Sequence, residues 1–251
     1  MKARILSRAY LMLSSPRLTL VLLIYSVLLI FVATLAQREI GIAHAQAIYF
    51  EGFFGMGKIA GVSFPFIGGA VIGILSVVNI VLSAMRFCKF GVQGLGVSIT
   101  HMSLALLIIS GGLQYFLRIE GSVVLKPSQT TDIVVIRNST SQIKKLPFTI
   151  TLLEFKEEKW SGSSIAKSYS SDIVFKRGET SVRTKTSMNN PASFAGWTFY
   201  QMSYGKDGSS VLGAVKNPAR LLPWLSVGAT FFGMMIIFLP RVFRKGNRYE
   251  K

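Results

Sequence analysis

Four long stretches without charged residues constrain this chain more than any other feature of its sequence. They are Leu18–Ala36, Ile59–Met85, Phe90–Leu117 and Leu221–Pro240. A helix needs about 20 apolar residues to cross the ~30 Å hydrocarbon core of a bilayer, and each stretch is long enough. This excludes a soluble globular enzyme, a disordered tail and a domain anchored by one span. The predicted transmembrane helices cover residues 18–36, 67–85, 94–117 and 221–240.

Basic residues are concentrated in three segments that flank these spans. The segments at residues 1–17, 86–93 and 241–251 together hold eleven Lys and Arg residues, against a single acidic residue, Glu250. The positive-inside rule places all three in the cytoplasm. Residues 37–66 are balanced in charge, so we predict an extracytoplasmic link with an interfacial aromatic segment. Each span carries the chain across the membrane once, so residues 118–220, which lie between the third and fourth spans, are predicted to be outside.

Residues 118–220 have the pattern of a small all-β domain. Alternating polar and apolar residues, as in Phe148–Leu152, are separated by turn signals such as Asn190-Pro191. Short strands of this kind indicate an antiparallel sandwich or barrel. The predicted fold class is therefore a membrane α-helical protein with four transmembrane helices and an inserted extracytoplasmic all-β domain. The strand-like runs are Asp132–Arg137, Phe148–Phe155, Asp172–Phe175, Thr198–Ser203 and Val211–Val215.

The residues that the sequence lacks disfavour several classes of function. Cys88 is the only cysteine, which excludes an internal disulfide and a CxxC redox pair, and we interpret it as a reduced thiol. The segment at residues 118–220 has no histidine, so Ser-His-Asp catalysis is disfavoured. The chain also has no GxxxxGK[ST] phosphate loop. A hydrolase or an ATP-driven pump has no support, and we assign no catalytic residue.

The two histidines of the chain have different settings. His44 lies in the outer link and is interpreted as a solvated side chain. His101 lies within the third span, and small side chains dominate its helical face. Such a face predicts a packed helix interface, and an ionisable residue within a span is a functional-site hypothesis. The other members of the face are Gly94, Ser98, Ala105 and Gly112.

Three interpretations of His101 remain open from the residues alone. The first is a neutral imidazole hydrogen-bonded to Ser98, Asn79 or a backbone carbonyl. The second is a haem or metal ligand, because neutral imidazole is a common axial ligand of haem iron. The third is a proton relay, which is the weakest because the spans contain no Asp, Glu, Lys or Arg.

Four segments also match a known family in their residues and their order. They are Ser14–Leu20, Ala45–Phe50, Gly96–Leu104 and Asn190–Gly205. Together they resemble the ResB (Ccs1) family of System II cytochrome c biogenesis. The last segment is the most specific, because a long run matches in order just ahead of the final span.

The resemblance implies a function and a location. ResB-like proteins act with a ResC- or CcsA-like membrane protein to move haem outward and present it to apocytochrome c, where it is joined to CxxCH thiols. It implies that His101 is an axial ligand of a transiently bound b-type haem, shared with the partner. The chain would then be a non-catalytic or co-catalytic subunit of a cytochrome c haem lyase complex. The resemblance places it in the bacterial cytoplasmic membrane, with the β domain on the periplasmic side.

The end of the β domain carries a further prediction. Strand alternation places Trp197 and Phe199 on one face and Tyr200 on the other. We predict that Trp197 and Phe199 lie in the core, and that Tyr200 and Tyr204 face the partner or apocytochrome c. The alternative function is an extracytoplasmic scaffold that holds apocytochrome or partner protein without itself binding haem.

Overall fold

The structure is a computed structural model that describes residues 2–59, 62–87, 91–136, 142–163, 166–205 and 207–246. Cys88 and the last five residues of the basic tail lie outside these ranges. The chain forms two compact units, which are treated separately below. The membrane unit comprises Met1–Leu113 and Arg220–Lys251, and the β domain comprises Gln114–Ala219.

Within its described residues, six α-helices form most of the membrane unit. Helices α2, α4, α5 and the first 19 residues of α6 are long and apolar enough to cross a membrane. They confirm the predicted class of a membrane protein with four transmembrane helices. The bounds of the helices are α1 Lys2–Leu13, α2 Pro16–Ile40, α3 Ile42–Gln46, α4 Gly69–Phe87, α5 Val92–Leu117 and α6 Leu222–Gly246.

The start of α2 shows why the segment Ser14–Leu20 opens a span. Ser15 is the N-cap residue, and its side-chain oxygen accepts a hydrogen bond from the backbone N–H of Arg17. Pro16 occupies the first helical position, where its missing N–H costs no helical hydrogen bond. Helix α2 ends at Gly41, whose φ of 79° is one that glycine adopts readily.

The outer link contains more structure than the predicted interfacial aromatic segment. After α3 come a π-helix at Ala47–Glu51 and a hairpin of strands β1 (Phe54–Ile59) and β2 (Val62–Ile67). Tyr49 is buried and stacks on Phe66 at 4.7 Å between ring centroids. The Tyr25 hydroxyl of α2 donates to the carbonyl of Ile67 and accepts from its N–H, both at 2.9 Å. Part of the aromatic segment is therefore a core that fixes the hairpin to α2.

In the described part of the β domain, eight antiparallel strands form one sheet. They hydrogen-bond in the order β7-β6-β5-β4-β3-β10-β9-β8. The two ends of this sheet approach each other, since Thr186 Oγ1 of β7 donates to the carbonyl oxygen of Phe199 on β9 at 3.1 Å. The sheet is thus a nearly closed barrel, one of the two predicted forms. The strand bounds are β3 Ile119–Leu125, β4 Thr130–Ile136, β5 Ile143–Lys159, β6 Ala166–Arg177, β7 Thr180–Ser187, β8 Ala192–Phe194, β9 Trp197–Tyr204 and β10 Ser210–Lys216.

One hydrophobic core fills the barrel. Trp197 and Phe199 are buried in it, which confirms their predicted place. Phe148 packs edge-on against Phe175, Phe194 and Phe199 at centroid distances of 5.0–6.1 Å. Alternation along β9 produces this core, because every second residue from Trp197 to Gln201 points inward.

Candidate functional site

A cavity of about 380 Å³ lies among helices α2, α4 and α5 of the membrane unit. Its volume is at the lower end of the range for small-molecule sites. Most of its lining side chains are apolar, and four are polar. We call it the His101 cavity, and its polar side chains are Thr19, Asn79, Ser83 and His101.

Asn79 forms the polar floor of the cavity and is fully buried. Its Oδ1 accepts a hydrogen bond from Thr19 Oγ1 at 2.6 Å. Its Nδ2 donates to the carbonyls of Leu13 at 2.6 Å and Ser15 at 3.2 Å. These contacts join α4 to the turn between α1 and α2.

Two further α4 side chains hold the same turn. Ser83 Oγ donates to the carbonyl of Ser14 at 3.1 Å, and Arg86 Nη1 donates to the Ser14 hydroxyl at 3.0 Å. Asn79, Ser83 and Arg86 share one face of α4, because residues three and four apart lie above one another on a helix. The Ser14–Leu20 segment therefore contributes a cavity wall and the buried turn beneath it.

His101 is half-buried and lines the cavity from α5. Its Nδ1 lies 2.8 Å from the carbonyl oxygen of Val97, one turn earlier in the same helix. A carbonyl only accepts hydrogen bonds, so Nδ1 must carry the proton. In a neutral imidazole this leaves the lone pair on Nε2. The observed partner is the backbone carbonyl, one of the three partners that the sequence left open.

The small-residue face around His101 is only partly packed. Gly94 and Ala105 are buried, whereas Gly112 is exposed, and a Cβ on it would meet nothing within 4 Å in the described part of the chain. The close packing of α5 lies instead on a second face, where Gly96 and Ser103 meet α6. Ser103 Oγ lies 2.8 Å from Thr230 Oγ1, and a Cβ on Gly96 would lie 2.9 Å from the carbonyl oxygen of Gly233.

The cavity offers haem iron one candidate protein ligand, the imidazole of His101. Metal-ligating histidines almost always donate their second ring N–H to a carbonyl, carboxylate or water, which fixes the tautomer. The contact between His101 and Val97 has this form. The described residues contain no group of three or more His, Cys, Asp and Glu that could hold a metal ion by themselves. His44 is exposed on α3, away from such a setting.

The structure places Tyr200 and Tyr204 in different surroundings. Tyr200 lies over Gly213 of the neighbouring strand, and a Cβ atom added at Gly213 would collide with the Tyr200 ring. Between these tyrosines the pairing of β9 with β10 shifts by one residue, so that Tyr204 pairs with Ser210. Paired residues share a sheet face, and Ser210 is fully buried. The bulge therefore turns Tyr204 to the inner face of the sheet, an effect that simple alternation cannot predict.

Tyr204 belongs to an aromatic stack at one end of the barrel. Its ring centroid is 4.6 Å from that of Tyr169 and 5.6 Å from that of Phe155. The Tyr169 hydroxyl donates to the Tyr204 hydroxyl at 3.3 Å, and this hydrogen bond raises the pKa of Tyr169 to about 12. Tyr204 is 41% exposed, so the stack presents an accessible aromatic surface. We call Phe155, Tyr169 and Tyr204 the aromatic stack.

These features define a multi-span membrane protein with a β-barrel domain and a single histidine in a cavity among its spanning helices. A model of the ResB-like family matches residues 89–221, more than half of the chain. The chain belongs to the ResB-like family, and this membership supports a role in cytochrome c biogenesis.

Other comparisons add less. No curated protein matches the chain. A solved structure titled cytochrome c heme lyase CcmF is similar to it with a TM-score of 0.37 and 12% sequence identity. The similarity covers 66% of this chain and 29% of that one. The chain thus corresponds to less than a third of that structure.

Proposed function

We propose that this protein is a haem-handling factor of cytochrome c biogenesis that works with a ResC- or CcsA-like membrane partner. In this proposal the protein lies in the bacterial cytoplasmic membrane with its β domain in the periplasm. It holds haem at His101 and helps to pass it outward, as part of a cytochrome c synthase complex. Haem supplies the iron porphyrin that becomes joined to the CxxCH thiols of apocytochrome c.

The observation that carries the proposal is the state of the His101 ring. The Val97 carbonyl holds the proton on Nδ1, which leaves the Nε2 lone pair available to iron. Because the Val97 carbonyl belongs to the same helix, the ring needs no second protein group to fix its tautomer. The chain supplies one such imidazole within its described spans, so any second protein ligand to the iron would have to come from the partner.

The other cavity residues position the wall opposite His101. Asn79, Thr19 and Ser83 bind each other or the turn at Leu13–Ser15, so they hold α2 against α4. Apolar side chains, among them Leu20, Leu23 and Ile80, cover the remaining wall. An apolar wall excludes water, and a water-poor site favours a flat, largely apolar macrocycle.

A second candidate function rests on the aromatic stack. A group of three stacked rings, with Tyr204 exposed and Phe155 and Tyr169 half-buried, suits contact with another protein, since aromatic residues are enriched at interfaces. As a scaffold, the β domain would hold apocytochrome c or the partner through Tyr204, and Tyr200, on the other face of β9, would contribute a separate contact. This function requires no haem on the chain.

The test replaces His101 with Ala in the full chain, purified together with its partner. We expect the variant to lose most of the co-purified haem and to fail to mature cytochrome c, because alanine offers no lone pair to iron. His44→Ala is the matched control, since it removes the other histidine of the chain, and it should retain haem and activity. Haem content is read from the Soret band.

The outcomes separate the two candidate functions. Partial recovery of the His101→Ala variant by added imidazole would support ligation, because imidazole can occupy the vacated space. Normal haem content and activity in His101→Ala would show that the haem-ligand assignment is wrong. A Tyr204→Ala variant that keeps its haem but no longer retains apocytochrome c would support the scaffold function of the β domain.

A further inference from the structure

The His101 cavity has an unusual distribution of hydrogen-bond donors. Each of its four polar side chains donates its hydrogen bonds to acceptors of the protein itself. Thr19 donates to Asn79, and Ser83 donates to the carbonyl of Ser14. Asn79 donates both amide hydrogens to the carbonyls of Leu13 and Ser15. His101 donates to the carbonyl of Val97.

The backbone of the cavity wall offers no donor either, within the described residues. The start of a helix normally leaves several N–H groups without partners. Here Pro16 has none, and the N–H of Arg17 is bound to Ser15 Oγ. The N–H groups of Leu18 and Thr19 are bound to the carbonyl of Ser15 at 3.1 and 3.3 Å. The positive end of α2 is therefore satisfied locally.

Acceptor positions do remain. Hydroxyl oxygens keep lone pairs after donating their proton, so Thr19 and Ser83 can still accept hydrogen bonds. His101 adds the lone pair of Nε2. A site with acceptors and no donors favours a Lewis acid or a hydrogen-bond donor, and it disfavours a carboxylate, which can only accept when ionised.

We infer that the cavity selects against carboxylates, so that its ligand is held through the metal and the apolar ring while its acidic groups lie outside. This inference rests on the proposed function and adds an orientation to it. For haem, the two propionates project away from Thr19, Asn79 and Ser83. The iron and the apolar part of the macrocycle lie against His101 and the apolar wall.

The test compares two probes on the full-length protein in nanodiscs. One is iron protoporphyrin IX, and the other is its dimethyl ester, in which both propionates are uncharged. Binding is followed by titration of the Soret band in the wild type, in His101→Ala and in the control His44→Ala. We expect equal affinity for the two porphyrins, and loss of both from His101→Ala only.

The outcomes distinguish this inference from the proposed function. A dimethyl ester that binds more than about tenfold more weakly, the effect of losing a hydrogen bond to a charged group, would show that the cavity holds the propionates. The inference would then be wrong, although haem would still bind at His101. Binding that does not depend on His101, or no binding of either probe, would overturn both.

A second measurement uses the space left by His101→Gly. Imidazole added together with the dimethyl ester should restore porphyrin binding and a Soret band like that of the wild type, whereas acetate at equal concentration should not. Both molecules can bind iron, and they differ in charge. A carboxylate in this cavity would lack donors and would remain poorly solvated. Recovery by acetate as strong as that by imidazole would contradict the inference.

Discussion

The β domain and the membrane unit are each stabilised internally by a different kind of interaction. Among the described residues, the barrel contains a single core of fourteen buried hydrophobic side chains. In the candidate spans, by contrast, only 11–22% of each most apolar segment is buried inside the structure. Water drives apolar side chains into the barrel, whereas lipid tails are as apolar as leucine and give helices no such drive. The stability of the barrel should therefore depend on how completely its core is filled. The stability of the membrane unit should depend on a few close or polar contacts between its spans.

The contacts between the spans agree with this difference. Asn79 joins α4 to the start of α2, Ser103 meets Thr230 between α5 and α6, and Gly96 faces Gly233 at the same crossing. Each is a point contact between small or polar residues, which are the residue types enriched at helix interfaces in membranes. Substitutions in the two units should therefore act through different physical causes.

The largest expected effect is in the barrel core. Trp197→Ala removes an almost fully buried side chain and leaves a cavity, so it should destabilise the β domain by roughly 3–5 kcal/mol. Hydrogen exchange of β9 and β10 in the full chain measures this loss. Trp160→Ala is the control: Trp160 is 57% exposed, and its cation–π contact with Lys167 is worth at most about 1 kcal/mol. If Trp197→Ala and Trp160→Ala showed equal hydrogen-exchange protection, the stability of the barrel would not depend on a filled core.

The next effect concerns the crossing of α5 and α6. A Cβ on Gly233 would lie 2.5 Å from Thr100 Oγ1, so Gly233→Leu should force the helices apart at a cost of about 1–3 kcal/mol. A disulfide between cysteines at positions 103 and 230, in a Cys88→Ser background, reports the separation by its yield. Gly228→Leu lies on the same helix, where a Cβ meets nothing within 4 Å among the described residues, and should leave the yield unchanged. A lower yield in both variants would argue against a specific close contact.

A smaller effect is expected at the polar floor of the cavity. Asn79→Ala removes the bonds to Leu13, Ser15 and Thr19 and should cost about 1 kcal/mol, as is typical of polar contacts between membrane helices. Unfolding by SDS in mixed micelles measures the change. The control is Ser26→Ala. Among the described residues, the Ser26 hydroxyl donates only to the carbonyl of Leu22, which lies in the same helix. If the two variants unfolded alike, Asn79 would not be a main contact of the membrane unit.

The smallest effect is a pH dependence of the β9–β10 turn. Hydrogen bonds from Ser209, together with Lys126, lower the pKa of Asp207 from 3.8 to about 2. A lowered pKa stabilises the folded state above pH 3.8, and this contribution is lost as the pH falls towards 2. The hydrogen-exchange protection factors of the turn, which correct for the pH dependence of the intrinsic exchange rate, should therefore fall over this interval. Asp207→Asn should abolish the dependence at this turn, and an unchanged profile in that variant would assign it to other groups.

Local patterns were sufficient to predict the main elements. The uncharged stretches predicted four spanning helices, and alternation placed Trp197 and Phe199 in the core, because both signals repeat within a few residues. The predicted runs do not include strands β3, β7 and β8. Strand β7 is mostly polar and five of its eight residues are exposed at the edge of the sheet, so it lacks the apolar alternation that marks a strand. The β1–β2 hairpin was missed because its first strand carries two glycines within six residues.

The sequence by itself determined that His101 lies within a span and that it is the only histidine there. Only the tertiary structure decided what surrounds it. Thr19 and Asn79 are 60 residues apart and meet because α2 and α4 run side by side. The barrel likewise decided where Tyr204 points, because one extra residue in β9 reverses the side of the sheet that a side chain faces. Periodicity is a local property of a chain, whereas register and helix contacts depend on residues that are distant in sequence.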